Sequence, residues 1–79
     1  MSIEEMMKKL METGLIERYY IRTVTATTYD INFYFNFNGR KFCYCIRDFS
    51  IKEVPYNILL NTVVENLHKF IDSFLKNNI

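Results

Sequence analysis

Asn38-Gly39 constrains the fold of this chain more than any other feature. These two residue types adopt positive φ most readily, which the type I′ turn of a two-residue β-hairpin demands at both of its central positions. Before the turn, Ile31, Phe33, Phe35 and Phe37 alternate with Asn32, Tyr34, Asn36 and Asn38; after it, Lys41 to Arg47 alternates again. Period-two alternation marks a strand buried on one face. A turn at 38 and 39 sets Phe35 opposite Phe42, Phe33 opposite Tyr44 and Ile31 opposite Ile46 on one face. The other face receives Asn36 opposite Lys41, Tyr34 opposite Cys43, Asn32 opposite Cys45, and Asp30 opposite Arg47 as a charge pair. A slip of one residue would put Phe35 against Lys41, so turn chemistry and hydrophobic pattern specify the same pairing.

Helices are expected on both sides of this hairpin. Ser2-Ile3-Glu4-Glu5 has the form of a capping box. Ile3, Met6, Met7, Leu10 and Met11 then recur on one helical face, with Glu4–Lys8 and Glu5–Lys9 pairs on the wet side. Gly14 suits the left-handed position after a helix end, followed by Leu15 as the residue folding back, which places the first helix from about Ile3 to Thr13. Pro55 suits the first position of a second helix reaching about Asn77. Leu60, Val63, Val64, Leu67, Ile71, Phe74 and Leu75 form its apolar stripe. Ser50-Ile51-Lys52-Glu53 is expected to cap a short turn before it.

Arg18 to Thr28, rich in Tyr, Ile, Val and Thr, reads as a further strand. Its register has two solutions. A turn at Thr28-Tyr29 sends Tyr20, Val24 and Ala26 inward with Arg22; a shifted turn sends Tyr19 and Ile21 inward with threonines. The first is the expectation. The order is thus α-β-β-β-α, a single α+β domain over residues 1–79 in which a three-stranded antiparallel meander carries two helices on its Phe33/Phe35/Phe42 face. The far end of the second helix, with Phe70, Phe74 and Ile79, either overhangs the sheet or packs on Ile3 and Met7, and packing is expected.

The chain has ten Lys and Arg against nine Asp and Glu, a formal charge of +1, so it carries neither the broad basic field of a nucleic-acid binder nor the acidity of a DNA mimic. Its apolar runs are far shorter than the roughly 20 residues that span a bilayer. The two cysteines fall short of a secreted disulfide framework, which fits the cytoplasm. Cys43 and Cys45 lie on one side of a strand about 7 Å apart at about 3.3 Å per residue, a strained span for a disulfide, and further metal ligands are lacking. His68 flanks the second helix's stripe without a Ser, Cys or carboxylate to orient it. Both glycines have structural explanations, which leaves no phosphate-cradling loop. An enzyme, a metal and a cofactor are therefore not expected.

What needs a reason is the sheet face away from the helices. In the expected register it collects Tyr19, Ile21, Thr23, Thr25, Asn32, Tyr34, Asn36, Lys41, Cys43 and Arg47, an aromatic and polar mixture of the kind found in recognition surfaces. Tyr19, Thr23, Asn32, Tyr34, Asn36, Lys41 and Arg47 are the candidate partner-binding residues. The edge formed by residues 23–28 has no charge or proline to deter another strand, so a homodimer through this strand, or through the second helix, is a secondary expectation.

The α-β-β-β-α order resembles the double-stranded RNA-binding domain, which grips phosphates with a lysine cluster at the start of its second helix; here that position reads Pro55-Tyr56-Asn57-Ile58. In size, element order, the Asn38-Gly39 hairpin and its Asn/Ile/Tyr/Phe-rich composition, the chain also resembles small phage-encoded inhibitors of host defence of the anti-CRISPR type. That resemblance implies a non-enzymatic protein-binding module that blocks a larger host protein in the host cell cytoplasm. The alternative is nucleic-acid binding.

Overall fold

The computed structural model describes residues 2–77. Helix α1 (Ile3–Glu12) leads to β1 (Arg18–Thr23), β2 (Thr28–Phe37) and β3 (Arg40–Ser50), and the chain ends in α2 (Tyr56–Asn77). The strands form one antiparallel sheet in the order β1-β2-β3, within a body of 45 × 22 × 18 Å.

Local chemistry sets the element ends. At the start of α1 the Ser2 hydroxyl accepts the Glu5 N–H at 3.1 Å, and Glu4 and Glu5 place negative charge in the first turn. The helix closes on Thr13, whose hydroxyl donates to the Leu10 carbonyl at 2.6 Å, and Gly14 follows with φ +74°. Ile16, rather than the expected Leu15, is the residue buried after this turn.

The β2–β3 pairing holds the expected register from Phe37↔Arg40 to Ile31↔Ile46. Asn38 and Gly39 both have positive φ, 51° and 78°, and Asn36 Oδ1 accepts the Gly39 N–H at 3.2 Å. A Cβ on Gly39 would meet nothing within 4 Å, so the cost of a side chain there is conformational alone. Gly39→Ala is expected to destabilise the domain by about 1–2 kcal/mol, read as a shift in urea midpoint without a change in slope.

Below Ile31 the ladder departs from expectation. Tyr29 pairs with Phe49, so Asp30 faces two residues, Arg47 and Asp48, across a β-bulge. Asp48 takes φ 54°, a conformation that Asp tolerates better than most residues, and its N–H donates to Asp30 Oδ1 at 3.0 Å. The expected Asp30–Arg47 register pair is replaced by this contact. The extra residue reverses the alternation of β3, and Phe49, which would otherwise point away from the helices, is buried in the core.

The threonine-rich segment also differs. β1 stops at Thr23, and residues 24–27 turn instead of continuing the strand to Thr28. The Thr25 hydroxyl accepts the N–H groups of Thr27 and Thr28 and lies 2.6 Å from the Thr28 hydroxyl, while the Val24 and Thr25 N–H groups donate to the Thr28 carbonyl. Threonine offers its own oxygen to nearby backbone donors, and here that local alternative prevails over its β propensity.

The turn is therefore earlier than Thr28-Tyr29, and β1 pairs as Arg18↔Tyr34, Tyr19↔Phe33, Tyr20↔Asn32, Ile21↔Ile31, Arg22↔Asp30 and Thr23↔Tyr29. Tyr19, Ile21 and Thr23 consequently share the helix-bearing side with Phe33 and Ile31. Tyr20 and Arg22, expected inward, lie on the open side.

The core joins Ile3, Met6, Met7 and Leu10 of α1, Ile31, Phe33 and Phe35 of β2, Phe49 of β3, and Leu59 and Val63 of α2. Met11, expected in the stripe, is exposed. The inward face of α2 keeps Leu60, Val63 and Leu67 of the expected stripe and adds Leu59 and Phe70, while Leu75 lies outside. Phe70 stacks on Phe42 at 5.2 Å and 5° and approaches Phe35, while Phe74 meets Phe37 edge-on at 5.5 Å. These rings pack on the sheet, and Phe70 lies against the core that includes Ile3 and Met7; Ile79 lies outside the described residues. No helix among the described residues is long and apolar enough to cross a membrane.

Candidate functional site: the open face of the sheet

Both helices contribute to a core on one side of β2, which leaves the opposite sheet face uncovered. Alternation along each strand then dictates which side chains stand on it. β1 supplies Arg18, Tyr20 and Arg22; β2 supplies Asp30, Asn32, Tyr34 and Asn36; β3 supplies Lys41, Cys43, Cys45 and Arg47. None of these residues is buried, whereas Ile31, Phe33 and Phe35, interleaved with them on β2, are fully buried.

Of the seven candidate residues, Asn32, Tyr34, Asn36, Lys41 and Arg47 are gathered on this face. Tyr19 and Thr23 are not: they stand on the helix side of β1, where Tyr19 remains 38% exposed because β1 is an edge strand. Thr25 belongs to the turn, and Ile21 packs against the core. In their place the register brings Arg18, Tyr20 and Arg22. The exposed stretch expected as a pairing edge, residues 23–28, is mostly turn, so the free edge of β1 is Arg18–Thr23 and carries two arginines.

The face changes character as a result. Its strand positions hold four cations, Arg18, Arg22, Lys41 and Arg47, against two carboxylates, Asp30 and, exposed at the bulge beside it, Asp48. The Asp30 carboxylate is already engaged by the Asp48 N–H. Tyr20 is 64% exposed. The Arg18 guanidinium lies over the Tyr34 ring, 4.4 Å from its centroid, a cation–π contact that holds the arginine flat against the sheet. The chain's near-neutral total conceals this local excess of positive charge, because most of the acidic side chains belong to the helices and loops.

Cys43 and Cys45 are free, exposed thiols side by side on the face, with Cys43 Sγ 4.0 Å from Asn32 Oδ1. Among the described residues no group of three or more His, Cys, Asp or Glu side chains is gathered in one place, and His68 is exposed on α2. The described residues enclose no pocket. The chain matches no known protein family, curated protein or solved structure.

Proposed function

We propose that the chain is a non-enzymatic protein-binding module whose open sheet face docks on a larger protein and blocks it, in the manner of small phage-encoded inhibitors of host defence acting in the host cell cytoplasm. The observation that supports this reading is the face itself: a three-stranded surface left uncovered by both helices, with an exposed tyrosine, amides and thiols at its middle and charged residues at its margins. Flat aromatic–polar patches of this composition suit macromolecular contact, where tyrosine supplies large area at small entropic cost.

Affinity capture from host lysate with the full chain, Tyr34→Ala and Lys41→Glu tests the reading. Both variants are expected to lose the captured protein while keeping the native far-UV circular dichroism spectrum, because both side chains lie outside the core. Full capture by both folded variants overturns the proposal.

A second reading, nucleic-acid binding, draws support from Arg18 and Arg22, which make the face more basic than the total charge implies. Its signature is a steep fall of log K with log salt; a flat slope removes it.

A further inference from the structure

The four cations of the open face are not a track. Arg22 and Arg47 stand at the Asp30 end of the sheet, and Arg18 and Lys41 at the hairpin end. At about 3.3 Å per residue and about 4.8 Å between strands, they mark the corners of a patch roughly 10 Å across and 13–20 Å long. Between their backbone positions lie Tyr20, Asn32, Tyr34, Cys43 and Cys45, all formally uncharged, with the Arg18 guanidinium reaching in from its corner over the Tyr34 ring. A nucleic-acid strand carries phosphates every few ångströms, about 3.4 Å per charge in a duplex strand, and is gripped by cations that follow it. An uncharged aromatic centre with charge at the rim is instead the anatomy of a protein–protein contact.

Resting on the protein-binding reading above, we infer that the partner surface is acidic and shaped to match: an apolar or aromatic centre that meets Tyr20 and its uncharged neighbours, with carboxylates that meet Arg18 where it lies on Tyr34, and Arg22, Lys41 and Arg47 at the rim. Charge complementarity of this sort speeds encounter and fixes orientation, and the central contacts hold the complex. Asp30 and Asp48, together at the bulge end, form the position where a partner carboxylate is repelled. It sets polarity along the face.

The experiment uses the immobilised full chain and three polyanions: a random glutamate–tyrosine copolymer, polyglutamate, and oligo(dT) matched in net charge. The copolymer is expected to bind about tenfold more tightly than polyglutamate, and more tightly than oligo(dT), because its tyrosines can occupy the uncharged centre. Its affinity should fall about tenfold between about 50 and about 300 mM salt. The double variant Arg18→Glu/Arg47→Glu should weaken it by at least about tenfold, and Arg18→Gln/Arg47→Gln by less in the same direction, with native circular dichroism in both. Tighter binding of oligo(dT), equal binding of the two polypeptides, or copolymer binding that the arginine variants leave unchanged overturns the inference. Any of these results alongside loss of lysate capture by Tyr34→Ala and Lys41→Glu removes the acidic partner and leaves direct protein contact standing; retained capture by both folded variants removes the docking reading itself.

Discussion

Replacing Phe33 by alanine is expected to lower the free energy of unfolding by about 3–5 kcal/mol. Phe33 sits fully buried on the central strand, between Tyr19 on β1 and Tyr44 on β3, beneath a core drawn from both helices. Neither neighbouring strand can close the void without giving up its own pairing. At about 0.05–0.15 kcal/mol per residue, a 79-residue chain has about 4–12 kcal/mol in all. The variant therefore loses much of its stability or fails to fold. Tyr34→Ala, one position along the same strand, removes a cation–π contact with Arg18 and the packing of a half-buried ring outside the core, so its cost should be about 1–2 kcal/mol. Urea denaturation followed by far-UV circular dichroism compares the two. Equal destabilisation would contradict the assignment of these side chains to opposite faces.

Deleting Asp48 is the second change with a large expected effect. The Asn38-Gly39 turn holds the first half of β3 in register, so removing the bulge residue forces everything after Arg47 to change sides. Phe49, 4% exposed, would swing to the open face, a loss of about 1.5–3 kcal/mol in burial alone. The Tyr29↔Phe49 and Thr28↔Ser50 pairs would be lost with it. Asp48→Gly keeps the residue count and suits φ 54°, so it should leave stability unchanged or raise it by up to about 1 kcal/mol. Denaturation midpoints of the two proteins separate register from backbone strain. A deletion variant as stable as the native chain would mean that the bulge does not set the position of Phe49.

The parts of the fold legible in the sequence are those where two independent signals coincide. Asn38-Gly39 and the Phe alternation both specify one β2–β3 register, and Ser2 with the Ile3–Leu10 stripe specifies α1. Where one residue type serves two structures, reading fails. The threonines of residues 23–28 suit a strand and equally a turn closed by Thr25 Oγ1, and only long-range pairing decides between them. That single ambiguity misplaced Tyr19 and Thr23 and concealed Arg18, Tyr20 and Arg22. The alternation of Arg18-Tyr19-Tyr20-Ile21-Arg22 itself places both arginines and Tyr20 on one side, a local signal that conflicts with a turn at Thr28-Tyr29. The bulge had no sequence mark beyond Asp48, a residue tolerant of positive φ. In α2, apolar residues occupy more than half the circumference from Ile58 to Val64, so the expected stripe finds Leu60, Val63 and Leu67 but cannot tell that Leu59, rather than Val64, is fully buried along with Val63.

The strict separation of the two sides of β2 has an evolutionary consequence. Ile31, Phe33 and Phe35 answer only to the interior, whereas Asn32 and Tyr34 stand on the open side, as does Asn36, which also holds the turn through the Gly39 N–H. Substitution at Asn32 or Tyr34 leaves the buried set in place, and changes outside the core cost little beside changes within it. A lineage carrying this fold can therefore vary the open side of β2 one residue at a time without passing through an unfolded intermediate sequence.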